Sequence, residues 1–185
     1  MKNRGVIMSE EERISILKWL GDVEHDFVGL KEKRLHLDLS KSDLSIPDSI
    51  WKIKQRIVER ENLHGYEKEP VYGDFVGIVL PGGSFIPHTD PNRGDFIHAR
   101  FNVFLQLPRK GGRVYYAGRP IESVEGCYTL CRSGLDIHWG EKNEDTLHRV
   151  SLSFGFLLPR ATLNKLYASI PRNDTEYTPY TCLQG

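Results

Sequence analysis

His88 and Asp90 are separated by a single residue, so in an extended segment both side chains project to the same side. His138 follows much further along the chain. Two imidazole nitrogens and one carboxylate oxygen are the donor set of a facial metal triad. Such a set grips an iron(II) on one side and leaves the opposite positions open to reactants. The Pro81-Gly82-Gly83 bend ahead of the pair lets backbone approach the site closely. An H-x-D motif alone recurs too readily by chance to outweigh an ordinary surface loop, and a second cluster gives it weight.

That cluster begins at Arg132-Ser133 and runs as a strand into His138-Trp139. After a polar loop, 140–146, the chain re-enters a strand at Leu147. There Arg149, Ser151, Ser153 and Gly155 share one face, and Val150, Leu152, Phe154 and Phe156 share the other. A buried arginine requires an anionic partner. A guanidinium beside a hydroxyl can hold a carboxylate through paired hydrogen bonds, which makes Arg149 and Ser151 candidates for a carboxylate-bearing co-substrate. His148 competes with His138 for the third ligand position. Being adjacent to Arg149, it points to the opposite face, whereas the loop after His138 can return that side to the same cavity. His138 is therefore preferred.

A third strand alternates His98, Arg100, Asn102, Phe104 and Gln106 with Ala99, Phe101, Val103, Leu105 and Leu107. Its polar face must meet a ligand, water, other polar groups or solvent. Arg100 is a candidate second anion contact and Asn102 a candidate for orienting co-substrate or substrate. For His98 and Gln106, solvent is an equally weighted alternative. Trp139, the Tyr115-Tyr116 pair and the loop 91–97 are candidates for the mouth of a substrate pocket.

The elements that must position these residues fall into two parts. Ser9 and Glu12 have the spacing of a capping box, followed by Ile14, Leu17 and Leu20 at helical intervals. A second helix is expected from Pro47 to about Glu61, capped through Ser45, with Ile50, Ile53, Ile57 and Val58 as its apolar stripe. A short strand is expected around Leu35-His36-Leu37. From Gly73 onward, runs rich in Val, Ile, Phe and Tyr at 74–80, 98–107, 113–116, 127–131, 135–138 and 147–158 alternate with Gly, Pro and Asn turns. This pattern indicates a β-sandwich or barrel, not β-α-β units. The expected organisation is one domain, 1–185, with a helical part at about 9–63, a β core at about 73–159 and a tail at 160–185. A short helix at 162–170 is expected in that tail.

Composition narrows the classes. Equal numbers of basic and acidic residues, 25 each, give no broad electrostatic footprint for nucleic acid. No apolar run is long enough for a membrane-spanning helix, and the first residues lack the apolar core of a secretory signal. Cys127 and Cys131 lie on one face of a strand-like run and read as small core residues; with Cys182 they make an odd set. A cytoplasmic location and no membrane or nucleic-acid partner are expected.

Together these residues resemble the iron(II)- and 2-oxoglutarate-dependent oxygenases. The resemblance runs from about Gly73 to Pro159. It rests on H-x-D, the Leu-Pro-Arg-Lys-Gly-Gly turn, Glu125-Gly126 leading a strand into Arg132-Ser133, the distal His138 and the closing Arg-x-Ser strand. Within that superfamily, Arg100-Phe-Asn-Val-Phe-Leu-Gln-Leu-Pro-Arg-Lys-Gly-Gly is most similar to the aspartyl/asparaginyl β-hydroxylase group. The resemblance implies a mainly β fold, a double-stranded β-helix (jelly roll) with N-terminal helices packed on one sheet. It implies Fe(II) on His88, Asp90 and His138, with 2-oxoglutarate held by Arg149, Ser151 and Arg100 and O2 as oxidant. The product would be a hydroxylated small amino acid, peptide or natural product, formed together with succinate and CO2. Because Asp90 fills the carboxylate position, hydroxylation is favoured over halogenation. Val79-Leu80 stands where many members carry a tyrosine. The alternative is a cupin-type metal-dependent dioxygenase or isomerase that does not use 2-oxoglutarate.

Overall fold

Ser9 opens helix α1 (Glu10–Asp22) through a capping box: its Oγ accepts from the Glu12 amide and Glu12 accepts from the Ser9 amide. The computed structural model describes residues 4–41 and 43–168. Helix α1 buries Ile16 and Leu20, while Ile14, expected on the apolar stripe, is 55% exposed. Helix α2 (Asp48–Arg60) buries Ile50, Ile53 and Ile57. Its N-cap position is Pro47 and carries no side-chain cap, so the expected cap from Ser45 does not form. Arg56 pairs with Glu12 and ties the two helices together.

The described residues form ten strands: β1 (Val28–Leu30), β2 (Arg34–Asp38), β3 (Asp74–Val79), β4 (Phe85–His88), β5 (Phe96–Gln106), β6 (Val114–Tyr116), β7 (Arg119–Pro120), β8 (Tyr128–Cys131), β9 (His138–Gly140) and β10 (Arg149–Pro159). They form a six-stranded sheet in the order β1-β2-β3-β10-β5-β8 and a four-stranded sheet in the order β4-β9-β6-β7. All the pairings are antiparallel. The helical part therefore contributes two strands, β1 and β2, that widen the larger sheet. Helix α3 (Arg160–Ala168) closes the described chain; the end of the helix expected at 162–170, the tail beyond it and Cys182 lie outside the described residues.

Two apolar clusters result. The larger packs Ile16, Leu20, Ile50, Ile53 and Ile57 of the helices against Val76, Phe101, Val103, Leu152, Phe154 and Phe156 of the six-stranded sheet. The smaller gathers Phe104, Val114, Tyr116, Ile121 and Cys131. The odd–even alternation of β10 thus sends Val150, Leu152, Phe154 and Phe156 towards the helices, leaving Arg149, Ser151 and Ser153 for the opposite face. On β5, Val150 pairs with Gln106 but Ser151 pairs with Phe104, so Leu105 is an inserted bulge residue. Beyond that bulge Gln106 leaves the polar row, its amide donating to the His148 carbonyl at 2.9 Å.

The β1–β2 turn carries Glu32 and Lys33 at positive φ and docks on the bend before β4. Leu80 N–H donates to the Lys33 carbonyl and Ser84 N–H to that of Glu32. Gly83 is required there: a Cβ would lie 2.7 Å from the Lys33 carbonyl oxygen and 2.8 Å from that of Glu32. Among the described residues no helix is long and apolar enough to cross a membrane.

Candidate metal centre

His88 ends β4 and His138 begins β9, and the two are direct partners across that antiparallel pair. Each ring is oriented by its own backbone. His88 Nδ1 lies 2.8 Å from the Ile86 carbonyl, and His138 Nδ1 lies 3.1 Å from the Asp136 carbonyl. A carbonyl accepts only, so each Nδ1 is the donor, and in the neutral ring this leaves Nε2 with the lone pair that binds a metal. Burial pushes His138 below its ordinary value of 6.5, with the nearby Asp90 charge acting in the opposite direction. The neutral ligand form is thereby favoured.

Asp90 enters from the loop after β4, its amide donating to the Ser133 carbonyl at 2.7 Å. His88 Nε2 and Asp90 Oδ1 are 3.8 Å apart, a separation that two bonds of about 2.1 Å span. The ligand atoms of His88, Asp90 and His138 all lie within 4.8 Å of one another. The donor set, two imidazoles and a carboxylate on one side of a cavity, fits a divalent transition metal with positions left open. His148 is exposed, outside this cluster.

The cavity of about 480 Å³ beside the triad is walled by both sheets. Arg149 lines it, buried, with its Nη1 donating to the Gly112 carbonyl at 3.3 Å and its guanidinium over the Phe85 ring. No acidic side chain among the described residues pairs with it, and burial lowers it to about 10. An uncompensated buried cation costs several kcal/mol unless a ligand supplies the opposite charge. Ser151 lines the same wall. Asn102 does so too, its amide donating to the Tyr116 hydroxyl at 2.9 Å, and that hydroxyl also meets Thr129 at 3.3 Å. Burial raises the Tyr116 phenol, so it stays protonated.

Arg100 also reaches the cavity, but its guanidinium is engaged by protein groups. It donates to Glu69 Oε2 at 3.1 Å, to the Gly73 carbonyl and to Ser153 Oγ, and its Nε lies 3.6 Å from Asp90 Oδ2. Trp139 turns away from the cavity: with His138 directed inward, the next residue of the strand points outward. There it stacks on Tyr115 with centroids 3.8 Å apart. The triad, Arg149, Ser151, Asn102 and Arg100 are thus brought to one cavity, and Trp139 is not. Two residues, His36 on the cavity wall and Glu69 behind Arg100, escaped the sequence reading. Tyr116 was half signalled, since of two adjacent strand tyrosines one must face inward. Glu69 and His36 come from segments with no local motif.

No family profile matches the chain, and no curated protein sequence matches it. Solved structures do. A viral collagen prolyl hydroxylase from Paramecium bursaria Chlorella virus-1, in its 2OG complex, superimposes with a TM-score of 0.63 at 16% identity, covering 82% of this chain and 92% of that one. A Pseudomonas putida prolyl-4-hydroxylase gives 0.58 at 17% identity, covering 84% and 91%. A Trichoplax adhaerens prolyl hydroxylase, bound to a peptide fragment of hypoxia-inducible factor, gives 0.63 at 12% identity, covering 87% and 84%. The chain shares the mainly β fold of these enzymes, and at such identities the likeness is one of fold.

Proposed function

We propose that the protein is an Fe(II)- and 2-oxoglutarate-dependent dioxygenase that hydroxylates a C–H bond of a small amino acid, peptide or natural product. Succinate and CO2 would be the co-products. One observation carries the reading: a His-Asp-His donor set and a buried arginine without an acidic partner share a single cavity. The strand order supports a jelly roll, because β3, β5, β8 and β10 adjoin in one sheet while β4, β6, β7 and β9 form the other. The helices, packed on the outer face of the larger sheet, support reading the chain as one domain.

His88, Asp90 and His138 would hold the iron, and when bound it would supply the oxidising chemistry with O2 and the oxo acid. Arg149 answers the distal carboxylate of 2-oxoglutarate, since its charge has no acid to meet, and Ser151 offers a hydroxyl on the same wall. Asn102 and Tyr116 line the cavity between the sheets, where they exclude water and orient what enters. The similarity of the β5 segment to the aspartyl/asparaginyl hydroxylases gave Arg100 a share in the oxo acid. Its engagement with Glu69 and Asp90 favours a role in holding the metal carboxylate. A neighbour bound to a peptide supports peptides within the substrate class.

The cupin-type alternative leaves the buried charge of Arg149 without purpose. The test is succinate formation from 2-oxoglutarate by iron-loaded protein with ascorbate, with and without a broad substrate set. Turnover above background, strongly reduced in Arg149→Ala, is the expected result; none from metal-retaining protein defeats the reading.

A further inference from the structure

His98 is fully buried, yet neither of its ring nitrogens has a hydrogen-bond partner among the described residues. The nitrogens point at two carboxylates. Nδ1 lies 3.6 Å from Asp90 Oδ2, and Nε2 lies 3.5 Å from Glu69 Oε2. Both separations are just beyond hydrogen-bond length. Buried polar atoms left in this state are costly, and a site that retains one calls for an explanation.

The two carboxylates differ in what they still need. Glu69 is saturated, accepting backbone amides from Val71, Tyr72 and Gly73 as well as Arg100 Nη2. The Asp90 oxygen facing His98 has no donor within hydrogen-bond reach, Arg100 Nε being 3.6 Å away. Its other oxygen, Oδ1, faces His88. The histidine backbone is fixed on both sides. Asn92 Oδ1 accepts from the His98 amide, and the Asn92 amide group donates to the Gly134 carbonyl. Ser133 Oγ and Gly134 N–H donate to the His98 carbonyl, while the Ser133 carbonyl accepts the Asp90 amide.

We propose that His98 is a positioning residue whose Nδ1–H holds Asp90 Oδ2, so that Asp90 meets the metal through Oδ1 alone. Asn92, Ser133 and Gly134 fix the backbone that carries the ring, and Arg100, anchored on Glu69, lies beside the same Asp90 oxygen, Oδ2. A carboxylate fixed in this way cannot swing to a two-oxygen grip that would occupy one of the open positions. The inference rests on the reading of His88, Asp90 and His138 as metal ligands.

The test uses Co(II) as the probe, titrated into the metal-free full chain and followed by its visible ligand-field bands. His98→Leu removes both donors. His98→Asn keeps an amide where Nδ1 stands. The expected result is a loss of Co(II) affinity of about 10- to 100-fold with changed bands in His98→Leu. His98→Asn should stay within about threefold of the parent and keep its bands. Thermal unfolding of the metal-free proteins checks that each variant folds. If His98→Leu does not, His98→Gln, whose amide falls at Nε2 and vacates Nδ1, replaces it with the same expected loss. Equal affinity and bands in parent and donor-free variant overturn the proposal, as does an equal loss in both variants. If the parent itself binds no Co(II), the ligand assignment fails and not merely the role of His98.

Discussion

His88 and His138 stand opposite each other across the β4–β9 pair, with ring centroids 4.2 Å apart. Two imidazoles held this close, each with its proton directed at a backbone carbonyl, leave Asp90 as the only anionic donor of the cluster. Asp90→Gly should therefore abolish hydroxylation and stoichiometric metal retention. Metal analysis of purified protein and product formation check both. Near-normal turnover in that variant would remove Asp90 from the ligand set.

A substitution at Arg149 distinguishes the proposed co-substrate contact from metal binding. Arg149→Met removes a buried cation and should raise the 2-oxoglutarate KM about 10- to 100-fold, the worth of charge-assisted hydrogen bonds. Metal affinity should stay the same. Without the oxo acid the variant should unfold at a higher temperature than the parent, because apolar replacement of an unpaired buried charge is stabilising. A lower unfolding temperature with unchanged KM would show that the guanidinium serves the fold alone.

Tyr116→Phe deletes the hydroxyl that accepts from the Asn102 amide. The stranded donor should cost about 1–3 kcal/mol in chemical denaturation. Asn102→Ala with Tyr116→Phe should cost less than the sum of the single changes, since the pair is then removed together.

Gly140 lies against the Arg149 guanidinium. A Cβ there would come within 2.3 Å of Phe85 and 2.9 Å of Arg149 Nη1. Gly140→Ala should destabilise by about 1–3 kcal/mol through overpacking and weaken 2-oxoglutarate binding at the same time. Isothermal titration with metal-loaded protein reads the second effect.

The half-buried His36, on the cavity wall with its ring centroid 4.5 Å from that of Phe75, gives a pH dependence that does not involve the proposed ligands. Burial pushes it below its ordinary 6.5. The unfolded chain takes up this proton before the folded one does, so stability is complete above about 6.5 and falls as pH drops through the folded value. His36→Phe should flatten that acid limb in urea titrations at pH 5 to 7. An unchanged limb would assign the proton uptake elsewhere.

Much of the β core was legible because its strands obey a strict two-residue alternation. β10 divides cleanly into Arg149, Ser151 and Ser153 against Val150, Leu152 and Phe154, and β5 divides likewise up to its bulge. Short or proline-bearing strands gave little signal: β4 contains Pro87, and β7 is only two residues long. His138 was expected to end a strand and instead begins one. The stripe of α1 runs through Ile16 and not Ile14, since only the three-dimensional contact with the sheet decides between neighbouring registers. Glu69 was out of reach for a different reason. It lies in an irregular segment 31 residues before Arg100, and no local pattern foretells such a partner.

The wall formed by Leu30, Arg34, Leu35 and His36 comes from the hairpin whose turn grips the bend ahead of His88. Trimming the polypeptide to the stretch recognisable by its motifs would consequently unroof the chamber and strip a strut from beneath one ligand. A shortened version that keeps the whole cavity wall has to begin upstream of residue 28.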